Sequence, residues 1–299
     1  MSDDNSGNSS GTLKSNKSAD PKEDEPPRIG NLELPTSQQP SGLFAFGGNI
    51  IDKGEVQLFV FYDQFIGHEH VITDLIPSIL FGVTNEFSIL LNFPSSPLMK
   101  NGCHSSNGFE DFYIQLEYAF WNKKTNTYVD QATIIANVTA PTGSVKKNPN
   151  TGFGSPSLFL GATYYHMRTD WFVFLGEGSI LTTSEHGTKI GDQFLYQLGF
   201  GRNIPSPKGW TFAWMIEIDG QYSKRNRIRG VTDRNSGGNF LYATPSLWIS
   251  SKEILMQFGV SIPIAQNLFG DRHEHRTTLF RGQHKFDYAL NFNFGWSLY

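Results

Sequence analysis

Apolar and polar residues alternate with a period of two along most of the chain beyond residue 54, in short runs separated by turn-forming residues. Such alternation predicts strands with two unlike faces. At the C-terminus Phe286, Tyr288, Leu290, Phe292, Phe294, Trp296 and Leu298 share one face, opposite Asp287, Ala289, Asn291, Asn293, Gly295 and Ser297. The same split recurs where Phe112, Ile114, Leu116, Tyr118 and Phe120 oppose Asp111, Tyr113, Gln115, Glu117 and Ala119. Phe194, Tyr196, Leu198 and Phe200 oppose Gln193, Leu195, Gln197 and Gly199, and Phe212, Trp214, Ile216 and Ile218 oppose Thr211, Ala213, Met215, Glu217 and Asp219. Met256, Phe258, Val260 and Ile262 oppose Leu255, Gln257, Gly259 and Ser261. One bulky apolar face and one small or polar face describe a wall between lipid and a wet lumen.

Twelve such runs are predicted, near 54–62, 70–81, 84–93, 109–121, 128–140, 153–165, 170–181, 190–202, 210–222, 239–249, 253–265 and 284–298. Most reach the roughly 9–11 residues that cross a bilayer at a tilt. The first, second and seventh alternate poorly. Connections after even-numbered runs are tight (Gly82–Thr84, Asn122–Thr127, His166–Thr169, Asn203–Gly209, Ser250–Lys252), whereas those at 94–108, 141–152, 223–238 and 266–283 are long. Short turns at one end and long loops at the other predict an all-β, transmembrane, antiparallel up-and-down β-barrel of about twelve strands, with both termini on the periplasmic side. The barrel is assigned to 54–299, and 1–53 to a polar, disordered N-terminal tail or a plug.

Composition agrees. Aromatic residues are 14% of the chain and charged residues 17%, against roughly 25% charged in a soluble domain. Mean hydropathy is −0.34, so the chain is not greasy throughout. No run of about 18 apolar residues occurs, which excludes a membrane-spanning helix. A net charge of −4 argues against a nucleic-acid binder. Cys103 is the single cysteine, so no internal disulfide forms. Residues 1–30 are rich in Ser, Asp, Lys and Pro and contain no apolar signal core; either a signal is encoded upstream of residue 1, or the start codon is placed elsewhere, or the chain does not go to the outer membrane.

The segment Asn107–Trp121, NGFEDFYIQLEYAFW, resembles an outer-membrane transporter family named for the MetA pathway of phenol degradation. Glu110 stands where that family usually has a second Gly, and Glu117 where it usually has Lys. The likeness continues through Ala140-Pro141-Thr142-Gly143-Ser144, a second Gly-Phe-Gly opening at 152–154, Gly191-Asp192-Gln193 and VSIPIAQNLFG at 260–270. It implies a barrel channel for small organic compounds.

Candidate chemistry is sparse. His104 and Ser106, in NGCHSSNG, are similar to the active-site strand of outer-membrane phospholipase A, where a His activates a Ser; the orienting Asn expected on the next strand is absent, and Ser, Asn and Gly are ordinary turn formers. Two triplets, His68-Glu69-His70 and His273-Glu274-His275, carry metal-ligating residue types in loops, with solvated histidines as the plain reading. Asn137-Val138-Thr139 matches a glycosylation acceptor but falls within a strand. Lys224, Arg225, Arg227, Arg229 and Arg234, with Lys146 and Lys147, make a basic long-loop surface suited to lipopolysaccharide phosphates or simply to water.

The expected lumen-lining residues are Gln115, Glu117, Gln197, Glu217, Asp219, Gln257, Asp287, Asn291 and Asn293. Their carboxylates would bias a pore toward cations or be neutralised inside it. The function expected is passive transport of small organic molecules across a Gram-negative outer membrane, without reaction, cofactor or metal. A barrel hydrolase using His104 and Ser106, and a structural or adhesive barrel, are the alternatives. Expected partners are outer-membrane lipids and lipopolysaccharide, the barrel-assembly machinery and a small hydrophobic or aromatic permeant.

Overall fold

The computed structural model describes residues 29–298 except 186 and 271–284. Its strands are β1 (Val56–Ile66), β2 (His70–Gly82), β3 (Phe87–Asn92), β4 (Ser95–Asn101), β5 (His104–Phe109), β6 (Tyr113–Lys124), β7 (Tyr128–Thr139), β8 (Ser157–Arg168), β9 (Trp171–Thr182), β10 (Ser184–Glu185), β11 (Thr188–Lys189), β12 (Gln193–Ile204), β13 (Trp210–Ser223), β14 (Arg227–Ile228), β15 (Val231–Thr232), β16 (Gly238–Ser251), β17 (Ile254–Leu268) and β18 (Tyr288–Leu298). Each long strand pairs antiparallel with its neighbours in sequence, and β1 closes the circle by pairing with β2 on one side and β18 on the other. Closure leaves no edge strand, so the long strands find ladder partners on both sides along most of their length.

The wall has twelve staves because two of them are interrupted. Both β3 and β4 pair with β2, at its two ends, so together they form the third stave. In the same way β5 pairs with β4 and β6 with β3, making the fourth. The long loop expected at 94–108 is therefore a hairpin that prolongs the wall, with its tip at Gly102 and Cys103. Polar residues such as Ser95, Ser105 and Asn107 hid it, since they do not alternate with apolar ones. The tiny strands β10, β11, β14 and β15 form a separate sheet at the long-loop end.

Side chains divide as the ladder parity requires. Ile114, Leu116, Leu160, Leu198, Trp214, Ile216, Phe258 and Ile262 are exposed on the outer surface, while Gln115, Glu117, Met215, Glu217, Gln257 and Ser261 are buried within. Near the short-turn end the outer surface carries linked rings: Trp121 on Tyr164 (6.1 Å), Trp171 on Phe200 (6.4 Å) and Phe200 on Trp214 (5.9 Å). This is an aromatic girdle of the kind that marks a membrane interface. No helix among the described residues is long and apolar enough to cross a membrane.

The C-terminal strand begins later than the sequence suggests. Its regular pairing starts at Tyr288, and the two preceding residues depart from its parity. Phe286 is buried at 7% exposure, tilted against Phe65 at 5.4 Å, instead of lying on the outer face. Asp287 is exposed and precedes the strand, so it does not line the interior. Its N–H donates to the Ile66 carbonyl at 2.7 Å, which ends the ladder there.

Candidate functional site

Residues 29–53 run inside the barrel. This strap enters at the short-turn end, where the Asn31 N–H donates to the Thr169 carbonyl (2.8 Å) and Glu33 accepts from the Gly209 N–H (3.0 Å). It climbs past Tyr165, whose hydroxyl accepts the Gly42 N–H at 2.6 Å, and bends back near Phe46, which meets Phe159 edge-on at 4.9 Å. On the way down the Ile51 N–H donates to Ser88 (3.2 Å), and Gly54 bonds Gly82 beside the start of β1. Around its lower part Leu32, Ile51, Phe59, Leu80, Leu90, Phe172, Phe174, Met215, Trp248 and Leu255 close into one apolar cluster. The lower lumen is thus narrowed by packed side chains of strap and wall.

Most of the polar side chains expected to line the lumen hold this strap. Glu217 accepts the Leu43 N–H at 2.6 Å and the Phe44 N–H at 3.3 Å. Glu117 accepts from the Asn49 backbone (3.0 Å) and side chain (2.6 Å), and Gln115 donates to it from behind at 2.6 Å. Gln197, Gln257 and Asn293 donate to the carbonyls of Phe44 (2.7 Å), Ser41 (3.3 Å) and Leu43 (3.3 Å). Strand-like backbone inside a barrel must have its N–H and C=O groups met, and these side chains meet them. Asn291 donates instead to Asp63, at 2.7 Å, on the neighbouring β1.

Three cavities surround the strap, and Phe46 lines all of them. The largest, about 470 Å³, lies between the strap and the long-loop end and is lined by Phe44, Phe46, Phe65, Phe240, Tyr242, Phe286, Gln197 and Asp219 among others. A second, of about 290 Å³, adjoins Phe153, Asp111 and Asn137. A third, of about 250 Å³, runs between the strap and Phe59, Phe61, Asp63, Trp248 and Asn293 of the wall. At the rim of the largest, Asp192 is partly buried, which raises its carboxyl, but the Thr182 N–H (3.3 Å), Lys189 (3.2 Å) and Lys224 (3.4 Å) outweigh this and hold it below the usual carboxylate range.

The other sequence candidates are not assembled. Ser106 gives its hydrogen to the Pro149 carbonyl at 2.5 Å, not to His104, which is exposed. His68 and Glu69 sit in the turn before β2 and His70 begins it, while His273, Glu274 and His275 lie outside the described residues. Among the described residues no three His, Cys, Asp or Glu side chains are placed to hold a metal.

A family model described as "Putative MetA-pathway of phenol degradation" matches residues 47–247, more than half of the chain. The chain belongs to this family. Its motif residues have a structural task here. Asp111 accepts the N–H groups of Gly143 (2.8 Å) and Phe153 (2.6 Å), drawing the loop at 140–156 inward so that Phe153 lines two cavities. A Cβ at Gly152 would lie 2.5 Å from the Asp111 carboxylate and 2.8 Å from Gly143, so only glycine fits. Sequence reasoning passed over Asp111 and Phe153 as site residues, although the two related openings, Gly108-Phe109-Glu110-Asp111 and Gly152-Phe153-Gly154, were their signal.

Among solved structures, the fold is similar to that of an outer membrane channel from Pseudomonas putida F1, with a TM-score of 0.63 and 16% identity, covering 87% of this chain and 99% of that one. The NanC porin (TM-score 0.45, 11% identity, 81% and 100% covered) and a mutant of the TodX monoaromatic hydrocarbon channel (0.38, 10%, 92% and 99%) are more distant. A comparison with curated protein sequences finds no match.

Proposed function

We propose that this barrel is a passive channel of a Gram-negative outer membrane for small organic molecules, constricted by its own N-terminal strap. The observation that carries the reading is the set of three lumen cavities around a strap held by hydrogen bonds and a small apolar cluster, inside a closed wall with a lipid-like exterior. Membership of the family and the likeness to a protein named as an outer membrane channel support it. No reaction is assigned. The short-turn end then faces the periplasm and the basic long loops face outward, toward lipopolysaccharide phosphates. Insertion then falls to the barrel-assembly machinery.

Planar-bilayer recording of the refolded chain tests this. The full chain should give small or infrequent openings, and deletion of residues 1–53 should give discrete, larger ones. A deletion variant that folds, as judged by its heat-modifiable mobility, yet stays silent would rule the channel out.

A further inference from the structure

The largest cavity contains an imbalance between donors and acceptors. Both carboxylate oxygens of Asp219 are buried without a hydrogen-bond partner, and so is the Oε1 of Gln197, its direct cross-strand neighbour on β12. The donors beside Asp219, Gln197 and Thr244, lie within its electrostatic reach but make their closest hydrogen bonds elsewhere. Gln197 donates to the Phe44 carbonyl at 2.7 Å, and Thr244 donates to the Ser261 hydroxyl at 2.9 Å. A buried acceptor left without a donor costs about 1–3 kcal/mol, more when charged, so three together mark a place that a ligand completes. Both residues line a space of about 470 Å³, within the roughly 300–1,000 Å³ of small-molecule sites.

The surroundings state which ligand. Phe240 stacks on Tyr242 at 6.3 Å, Phe65 meets Tyr242 at 6.4 Å and Phe286 at 5.4 Å, and Phe44 and Phe46 close the strap side. Aromatic faces accept an apolar body and attract a cation. Among the described residues the charged ones lining this cavity are Asp219, Asp74 and Lys224, and Lys224 leans to Asp192 at 3.4 Å. A primary ammonium brings three N–H donors and one positive charge, matching three orphan acceptors of which two belong to a carboxylate. Building on the channel reading, we propose that this cavity binds a primary organic ammonium ion with an apolar or aromatic body, its head on Asp219 and Gln197.

Titration calorimetry on the refolded full chain in detergent, at neutral pH and low salt, tests the assignment with 2-phenylethylamine as probe. Saturable binding is expected, weakened tenfold or more in Asp219→Asn and less in Gln197→Leu. The alcohol 2-phenylethanol, with the same body and no charge, should bind at least tenfold more weakly and be indifferent to Asp219→Asn. Equal binding of amine and alcohol, or an amine affinity untouched by Asp219→Asn, would overturn the proposal, as would no binding of the amine to a folded barrel. Should Asp219→Asn fail to fold, Gln197→Leu and the amine–alcohol ratio decide alone. Conductance is a separate readout: a strap-deleted barrel that conducts while the amine does not bind sinks this site and leaves the channel reading intact, and a silent barrel that binds the amine does the reverse.

Discussion

Glu217 shows how much one side chain can be asked to do in a lumen. It is fully buried, and its two oxygens take the Leu43 and Phe44 N–H groups just below the bend of the strap. Glu217→Gln keeps the size but turns one acceptor into an NH₂ that faces a backbone N–H. Leaving that buried donor unmet costs about 1–3 kcal/mol, which shifts the docked fraction of the strap by roughly one to two powers of ten. Openings in bilayers should therefore become more frequent in Glu217→Gln than in the parent, at unchanged single-channel amplitude when the strap is out. An unaltered opening frequency would mean that the apolar contacts of Leu32, Leu43 and Ile51 hold the strap without help. The inward position of Glu217 follows from its parity with Met215 and Asp219 in the sequence; its partners do not, because Leu43 and Phe44 lie more than 170 residues away in an irregular segment with no periodicity to read.

At the scale of the strand, legibility depended on what lay inside. The runs around β6, β12, β13, β17 and β18 could be read because a small or polar inner face contrasts with an apolar outer one. In β1, β2 and β9 the contrast fails for a physical reason: Phe59, Leu80, Phe172 and Phe174 point inward and pack on the strap, so both faces are apolar. Poor alternation there was the trace of the strap in the wall. The faces of a well-patterned strand can be tested directly on β12, where Leu198 is exposed outward at mid-strand and Gln197 points into the largest cavity. Leu198→Lys should destabilise the barrel by about 2–4 kcal/mol if it sits near the bilayer midplane. Gln197→Lys, one residue away, places its ammonium near Asp219 and should cost far less. Denaturant unfolding from phospholipid vesicles measures both; a larger loss for Gln197→Lys would show that the two faces of β12 are exchanged, and equal losses that the assignment of faces fails.

For the molecule as a whole, everything turns on which end faces out. The strap enters and leaves at the short-turn end, beside Thr169, Gly209 and Gly82. A solute arriving from the long-loop end meets the largest cavity first and the strap second; from the other end the order is reversed. The parity of turn lengths assigns the long loops to the outside, and the chain carries its own reporter of this. Cys103 is the single cysteine, exposed at the tip of the β4–β5 hairpin on the long-loop end. A membrane-impermeant maleimide should label it in intact cells expressing the exported protein. In a Cys103→Ser background, Lys208→Cys places the thiol in the opposite turn, between β12 and β13. That variant should label only after the outer membrane is breached. The reverse pattern would invert the barrel, and the strap would then close its outer mouth, guarding entry in place of release. Labelling of both in intact cells would show that the reagent passes the envelope, and a bulkier maleimide conjugate would then be needed to decide the orientation.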